Sequence, residues 1–225
     1  MKPSLIVDFD STFIRDETLD EIAKLLLSSK KISKKTQKKI EDITNQAMAG
    51  KIDFRHALKA RVKLLNIHRN DVKQITSILK NRISLSFIKN KETIKDMGQN
   101  IYIVSGGFKE IINPIVKGYN IPSNNIFANE FNYDENDYIN GINENSLLSY
   151  SDGKIRAVNT LNLPNGAYII GDGSTDLEVE TVKEITAFIC FTENVHRKKV
   201  SSKSNYIAQS FCDVLEIIEK IESND

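Results

Sequence analysis

Four acidic residues fall into two short patterns with chemical potential. Asp8-Phe-Asp10-Ser-Thr12 follows directly on the apolar run Leu5-Ile6-Val7, and Gly171-Asp172-Gly-Ser-Thr-Asp176 follows on Tyr168-Ile-Ile170. In a loop leaving a strand, two carboxylates two residues apart can point at one opening. Asp8 would then be a nucleophile and part of a cation site, and Asp10 a general acid that later activates water as a base. Asp172 would add a second hard oxygen ligand, since magnesium takes few carboxylates and keeps several waters. Asp176 would steady that loop or the metal shell. Ser105-Gly106-Gly107 ends another apolar run, Ile101–Val104. A small hydroxyl followed by glycines lets backbone N–H groups approach a phosphate at a helix N-terminus. Lys154 could reach the same phosphate and offset the carboxylates. Each pattern alone also suits an ordinary turn. Three of them, however, follow separate strands in an order that one parallel sheet can bring together. The joint reading is metal-assisted phosphoryl transfer to a carboxylate.

The elements that must position these residues follow from periodicity. Leu5–Val7, Ile101–Val104, Ile126–Ala128, Tyr168–Ile170 and Ala187–Phe191 read as buried strands, and turn–helix units separate them. This predicts an α/β fold, a doubly wound parallel sheet with helices on both faces. Residues 16–27, 34–48 and 53–67 show helical spacing, and Asn70 or Asp71 could cap a further helix to about Leu79. That stretch holds no strand, so it reads as a helical cap inserted after the first strand. The expected domains are a core of residues 1–14 and 79–225 and a cap of residues 15–78. Pro114 should perturb the helix after Gly107. Residues 129–145 should form a hairpin, and Thr175-Asp-Leu-Glu178 fits a capping box.

Composition limits the alternatives. The chain has 225 residues, 40% hydrophobic and 27% charged, with a formal net charge of +1. No overall field selects nucleic acid or an anionic membrane, and no apolar run approaches the length of a membrane span. The lysine run Lys30-Lys31, Lys34-Lys35, Lys38-Lys39 reads as a solvated helix face. His56, His68 and His196 match no metal spacing. Cys190 and Cys212 read as two reduced, buried thiols. The expectation is a cytoplasmic monomer or homodimer acting on a small phosphorylated molecule, without nucleic-acid or membrane partners.

The DxDxT, Ser, Lys and GDxxxD features, in that order, resemble the haloacid dehalogenase superfamily. The stretch Asp8–Ala23, then Ala47-Met48-Ala-Gly50, Asp53-Phe54, Ala57-Leu58, Arg61-Val62, Leu64-Leu65, Val104–Phe108, Phe127–Asn129 and Gly171–Glu178 resemble its phosphoserine phosphatases. The resemblance implies a haloacid dehalogenase-like core and a phospho-aspartyl intermediate on Asp8, with Asp10 as acid and base. It implies Mg2+ held by Asp8, Asp172 and the Asp10 carbonyl, and phosphate contacts from Ser105, Gly106 and Lys154. Thr175 stands where many relatives carry Asn, and its hydroxyl can still donate to a phosphate oxygen. Glu17 would receive a substrate ammonium and Arg61 clamp its carboxylate as a bidentate fork. Met48 and Phe54 would close over the site. The substrate implied is L-phosphoserine. The alternatives are another small phosphorylated metabolite, or a non-catalytic relative that kept the fold.

Overall fold

Leu5, Ile6 and Val7 of β1 (Ser4–Val7) are all buried. Side chains alternate along a strand, so a strand apolar at every position needs cover on both faces. The computed structural model describes residues 3–48 and 51–223, with the Met48 side chain outside that description. Leu5 and Val7 pack into one core layer with Ile101, Ile103, Tyr168 and Ile170. Ile6 faces the opposite layer with Val104, Ile169 and Phe188.

β1 pairs in parallel with β2 (Ile101–Phe108) on one side and β6 (Ala167–Gly171) on the other. β3 (Ile126–Asn129) extends the first side, and β7 (Ile185–Phe191) and β8 (Tyr206–Ala208) the second. The order is β3-β2-β1-β6-β7-β8. The chain thus winds outward in both directions from β1. The carboxyl end of β1 is the switch point at which open α/β sheets form a ligand crevice.

Helices α1 (Thr18–Ser28), α2 (Lys34–Met48), α3 (Phe54–Leu65) and α4 (Arg69–Leu79) lie between β1 and β2. The helix expected from Asn70 or Asp71 begins earlier, because His68 is its cap. His68 Nδ1 accepts from the Asn70 N–H at 3.0 Å while Asp71 Oδ2 accepts from the His68 N–H at 3.2 Å. That reciprocal pair satisfies two end donors. Lys34, Lys35, Lys38 and Lys39 are exposed, as a solvated face requires. Short helices α5 (Leu85–Lys89) and α6 (Lys91–Met97) lead into β2. Pro114 lies inside α7 (Lys109–Val116), which continues two residues beyond it.

β4 (Phe131–Tyr133) and β5 (Ile139–Ile142) form the expected hairpin. Ion pairs and ring contacts tie it and the following loop to the helices. Arg55 stacks 4.2 Å from the Tyr150 ring centre, Lys59 pairs with Glu144 at 2.7 Å, and Arg69 pairs with Asp137 at 2.9 Å. Lys154 stands within α8 (Gly153–Val158), only 6 residues long; α10 (Lys198–Ser201) follows β7, and α11 (Phe211–Glu222) is the last described helix. Cys190 is buried, but Cys212 is exposed, because it sits on the outer side of the first turn of α11. Among the described residues no helix is long and apolar enough to cross a membrane.

Candidate active site

The turn after β1 is tight. The Asp8 N–H donates to Ile170 O at 2.9 Å, anchoring Asp8 between two strand ends. Phe13 N–H reaches back to Asp8 O at 3.3 Å and Ile14 N–H to Phe9 O at 2.9 Å, with Ser11 at φ 57°. A left-handed serine is uncommon. The bend buries Phe9 and Phe13 beneath the turn, leaving the two carboxylates at the sheet's carboxyl edge.

Lys154, in the first turn of α8, places Nζ 2.7 Å from Asp8 Oδ1 and 2.6 Å from Asp176 Oδ1. Burial works against its charge, but Asp176 and Asp8 outweigh it and hold Lys154 above the ordinary lysine range. Burial first, then repulsion from Asp8, pushes Asp176 up to about 7 despite the lysine. Asp172 is likewise raised, by burial and by Asp8. Asp8, Asp172 and Asp176 are all buried, and each offers an oxygen within 4.8 Å of the others. Asp176 is engaged at both oxygens, by Lys154 and by the Gly173 N–H at 3.1 Å. Three hard oxygen donors at this spacing, none softened by sulfur or imidazole, fit a small divalent cation.

The capping box expected at Thr175 and Glu178 does not form: the helix begins two residues earlier, and glycine at its N-cap leaves only the returning half of such a pair. Gly173 is the N-cap of α9 (Ser174–Glu178), and Asp176 is the side chain that returns to it. Gly171 cannot carry a side chain, since a Cβ there would stand 2.3 Å from Asp176 Cγ. Thr175 is half-buried within the first turn of α9 rather than ahead of it.

Ser105, 1% exposed, accepts the Gly107 N–H on Oγ at 3.0 Å. A Cβ on Gly107 would meet Ser105 Oγ at 3.3 Å and Asp10 Oδ2 at 3.8 Å, so these three groups share one corner. Asn129 Nδ2 holds the Gly106 carbonyl at 2.8 Å. The Phe54 ring lies over Gly106, where an added Cβ would come within 3.0 Å of Phe54 Cζ. Asp10 Oδ1 accepts the Thr18 N–H at 3.1 Å and its hydroxyl. Burial raises Asp10 well above the usual carboxylate range, Glu17 and Asp8 add to this, and the Thr18 bonds oppose it.

Glu17 accepts from Ser11 Oγ at 3.0 Å and from Arg197 Nη2 at 3.1 Å. Burial and the charge of Asp172 raise its pKa. Arg61 is 8% exposed and donates from Nη1 to Thr44 Oγ1 at 3.3 Å, while its buried Nε lacks a hydrogen-bond partner. Burial lowers its pKa, opposed by the charges of Asp20, Glu17 and Asp10. The structure therefore gathers Asp8, Asp10, Glu17, Phe54, Arg61, Ser105, Gly106, Lys154, Asp172 and Asp176 around one crevice. Met48 falls outside the described side chains.

Sequence reasoning gave Thr12 no role beyond its place in DxDxT and did not single out Thr18, Asn194 or Arg197. Thr12 Oγ1 donates to Asp172 Oδ1 at 3.4 Å, and Arg197 Nε to Asp172 Oδ2 at 2.6 Å. Asn194 Nδ2 donates to Ser11 O at 3.1 Å and Thr12 O at 3.3 Å. The available signal was positional. Residues 192–197 follow β7, another loop at the sheet's carboxyl edge.

The model of the haloacid dehalogenase-like hydrolase family matches residues 5–179. The chain belongs to the haloacid dehalogenase-like hydrolases. Among curated relatives, this hydrolase is 30% identical to the chloroplastic phosphoserine phosphatase of Arabidopsis thaliana, over 91% of this chain and 68% of the relative. It is 28% identical to the phosphoserine phosphatase of Lactococcus lactis, over 100% and 99% of the two chains. Among solved structures, a phosphoserine phosphohydrolase-like protein from Francisella tularensis superposes with a TM-score of 0.82 at 29% identity, covering 96% and 100%. A phospho-aspartyl intermediate analogue of phosphoserine phosphatase shares the hydrolase's fold, with a TM-score of 0.71 at 22% identity, covering 96% and 99%.

Proposed function

We propose that this hydrolase is a Mg2+-dependent phosphomonoester hydrolase that converts L-phosphoserine to L-serine through a phospho-aspartyl intermediate on Asp8. The observation that carries this reading is the buried Lys154 bridge between Asp8 and Asp176, beside Asp172, at the sheet's switch point. Asp8, Asp172 and the Asp10 carbonyl would hold the ion, which supplies charge neutralisation for the phosphoryl group.

An Asp8 oxygen attacks phosphorus and the ester P–O bond breaks. Asp10 gives its proton to the departing serine oxygen; its raised pKa keeps that proton available. Asp10 then takes a proton from water as the water oxygen attacks phosphorus. The bond from phosphorus to Asp8 breaks and inorganic phosphate leaves. Ser105, the Gly106 backbone and Lys154 orient the phosphoryl oxygens, and Thr175 adds a hydroxyl donor. Residues 15–78 act as a cap over a core of 1–14 and 79–225, with Phe54 excluding water.

Substrate choice rests on the two ends of an amino acid. Glu17 takes the ammonium and Arg61 the carboxylate, a role supported by its buried, unpartnered Nε. A donor left without a partner in a buried site strongly favours the ligand that supplies one. The test is a panel of phosphorylated metabolites turned over by the wild type and Arg61→Ala. L-Phosphoserine should be the best substrate. The variant should lose about 30-fold or more in kcat/KM on it, the effect of truncating one partner of a buried charge pair, while sparing a generic aryl phosphate. Better turnover of a phosphate lacking the amino acid would replace the substrate assignment.

A further inference from the structure

The acids around the site, Asp8, Asp10, Glu17, Asp172 and Asp176, outnumber its cations, Lys154, Arg61 and Arg197. Lys154 bridges Asp8 and Asp176, and Arg61 reaches Thr44. Arg197 spans the other two outer acids, with Nε 2.6 Å from Asp172 Oδ2 and Nη2 3.1 Å from Glu17 Oε1. The charge of Asp8 bears on it too. Its loop is fixed to the nucleophile turn by the two Asn194 bonds to Ser11 and Thr12. The Arg197 side chain is 30% exposed against 4% for Asp172, so the guanidinium walls the cluster on its solvent side.

We propose that Arg197, paired with both Asp172 and Glu17, is a built-in counter-cation that shares Asp172 with the divalent ion and thereby sets how tightly that ion binds. This rests on the cation reading of Asp8 and Asp172 given above. One carboxylate cannot give its full charge to two cations, and a guanidinium and a divalent ion on the same carboxylate repel each other. The guanidinium offsets repulsion among Asp8, Asp172 and Glu17, and its loosening from Asp172 is part of the work of ion binding. The ion is then held weakly enough to exchange. Asn194 keeps the loop in place while the arginine side chain moves.

The test is titration of the whole protein with Mn2+ alone, following free Mn2+ by electron paramagnetic resonance, for the wild type, Arg197→Gln, Arg197→Lys and Asp172→Asn. Arg197→Gln should bind roughly tenfold tighter because it removes a positive charge beside the ion. Its melting temperature should fall in chelator and rise more than that of the wild type on adding Mn2+. Arg197→Lys keeps the charge and should stay within about twofold of the wild type. Asp172→Asn should lose binding. Unchanged or weaker binding by Arg197→Gln, with the wild type binding and Asp172→Asn not, overturns the role of Arg197 and leaves the ion site standing. A tenfold gain in Arg197→Lys overturns it as well. No binding by the wild type overturns both readings.

Discussion

Replacing Lys154 by Met removes the cation that two buried carboxylates share while roughly conserving side-chain volume, so little of the loss comes from a cavity. Lys154, Asp8 and Asp176 have side chains only 11%, 10% and 1% exposed, so solvent screens the pair weakly. Breaking a buried pair by deleting one partner costs about 3–5 kcal/mol. At about 2–4 °C per kcal/mol for a chain of this size, that lowers Tm by roughly 6–20 °C. The pH dependence is the sharper signature. Asp176 titrates at about 7 with the lysine beside it, and the lysine is one of the influences holding that value down. Without it, the folded-state pKa rises further. A group whose folded pKa is raised contributes stability that is complete below its unfolded pKa and is lost as pH rises to the folded one. The wild type has lost this contribution by about pH 7. The variant goes on losing it at about 1.4 kcal/mol per pH unit. The stability gap should therefore widen by up to about 2 kcal/mol between pH 7 and about pH 8.5. Urea unfolding followed by circular dichroism near pH 6, 7 and 8.5 measures it. A gap that is flat or narrows with rising pH, or a loss below about 1 kcal/mol, would show that Lys154 does not carry the charge balance assigned to it.

Two further perturbations test the chemistry. Asp8→Asn should abolish turnover, and rapid quenching with labelled phosphoserine should leave label on wild-type protein but none on the variant; retained label would place the intermediate elsewhere. Thr18→Val removes the hydroxyl bond to Asp10 Oδ1 that favours the ionised carboxylate. Asp10 should then titrate higher, and the alkaline limb of the kcat/KM profile should move to higher pH because the leaving-group step needs protonated Asp10; an unmoved limb would remove Asp10 from that step.

The strands that carry the site were legible because their loops and apolar runs are contiguous in sequence. Leu5–Val7 and Tyr168–Ile170 are buried on both faces, and that composition states their depth directly. Asp8 and Asp172 were then found by counting past a strand end; Ser105 was found by counting past the apolar run Ile101–Val104, although β2 continues through it to Phe108. The region from 192 onward gave no such purchase. β8 is three residues long, with Ile207 exposed at the sheet's edge, so no run of buried residues announces it. The cap at Gly173 was misread because both Thr175–Glu178 and Gly173–Asp176 offer a plausible start, and only the packing of Asp176 against Gly171 and Lys154 chooses between them.

Arg197 shows why the remainder of the site was hidden. Nothing in its local sequence separates it from the adjacent basic residues Lys198 and Lys199. What distinguishes it is a contact across 25 residues to Asp172 and another across 180 residues to Glu17. Contacts of that separation follow from the parallel winding, which brings the loop after β7 beside the loop after β1 through β6. The same geometry links the two halves of the proposed chemistry. Glu17 follows the turn after β1 and Asp172 follows β6, and one guanidinium touches both. On the proposed reading, a change at Asp172 would reach Glu17 through a single side chain. This is why Arg197→Gln should be read by ion affinity and by the KM for phosphoserine together: a shared counter-cation moves both, whereas a merely structural arginine changes stability alone.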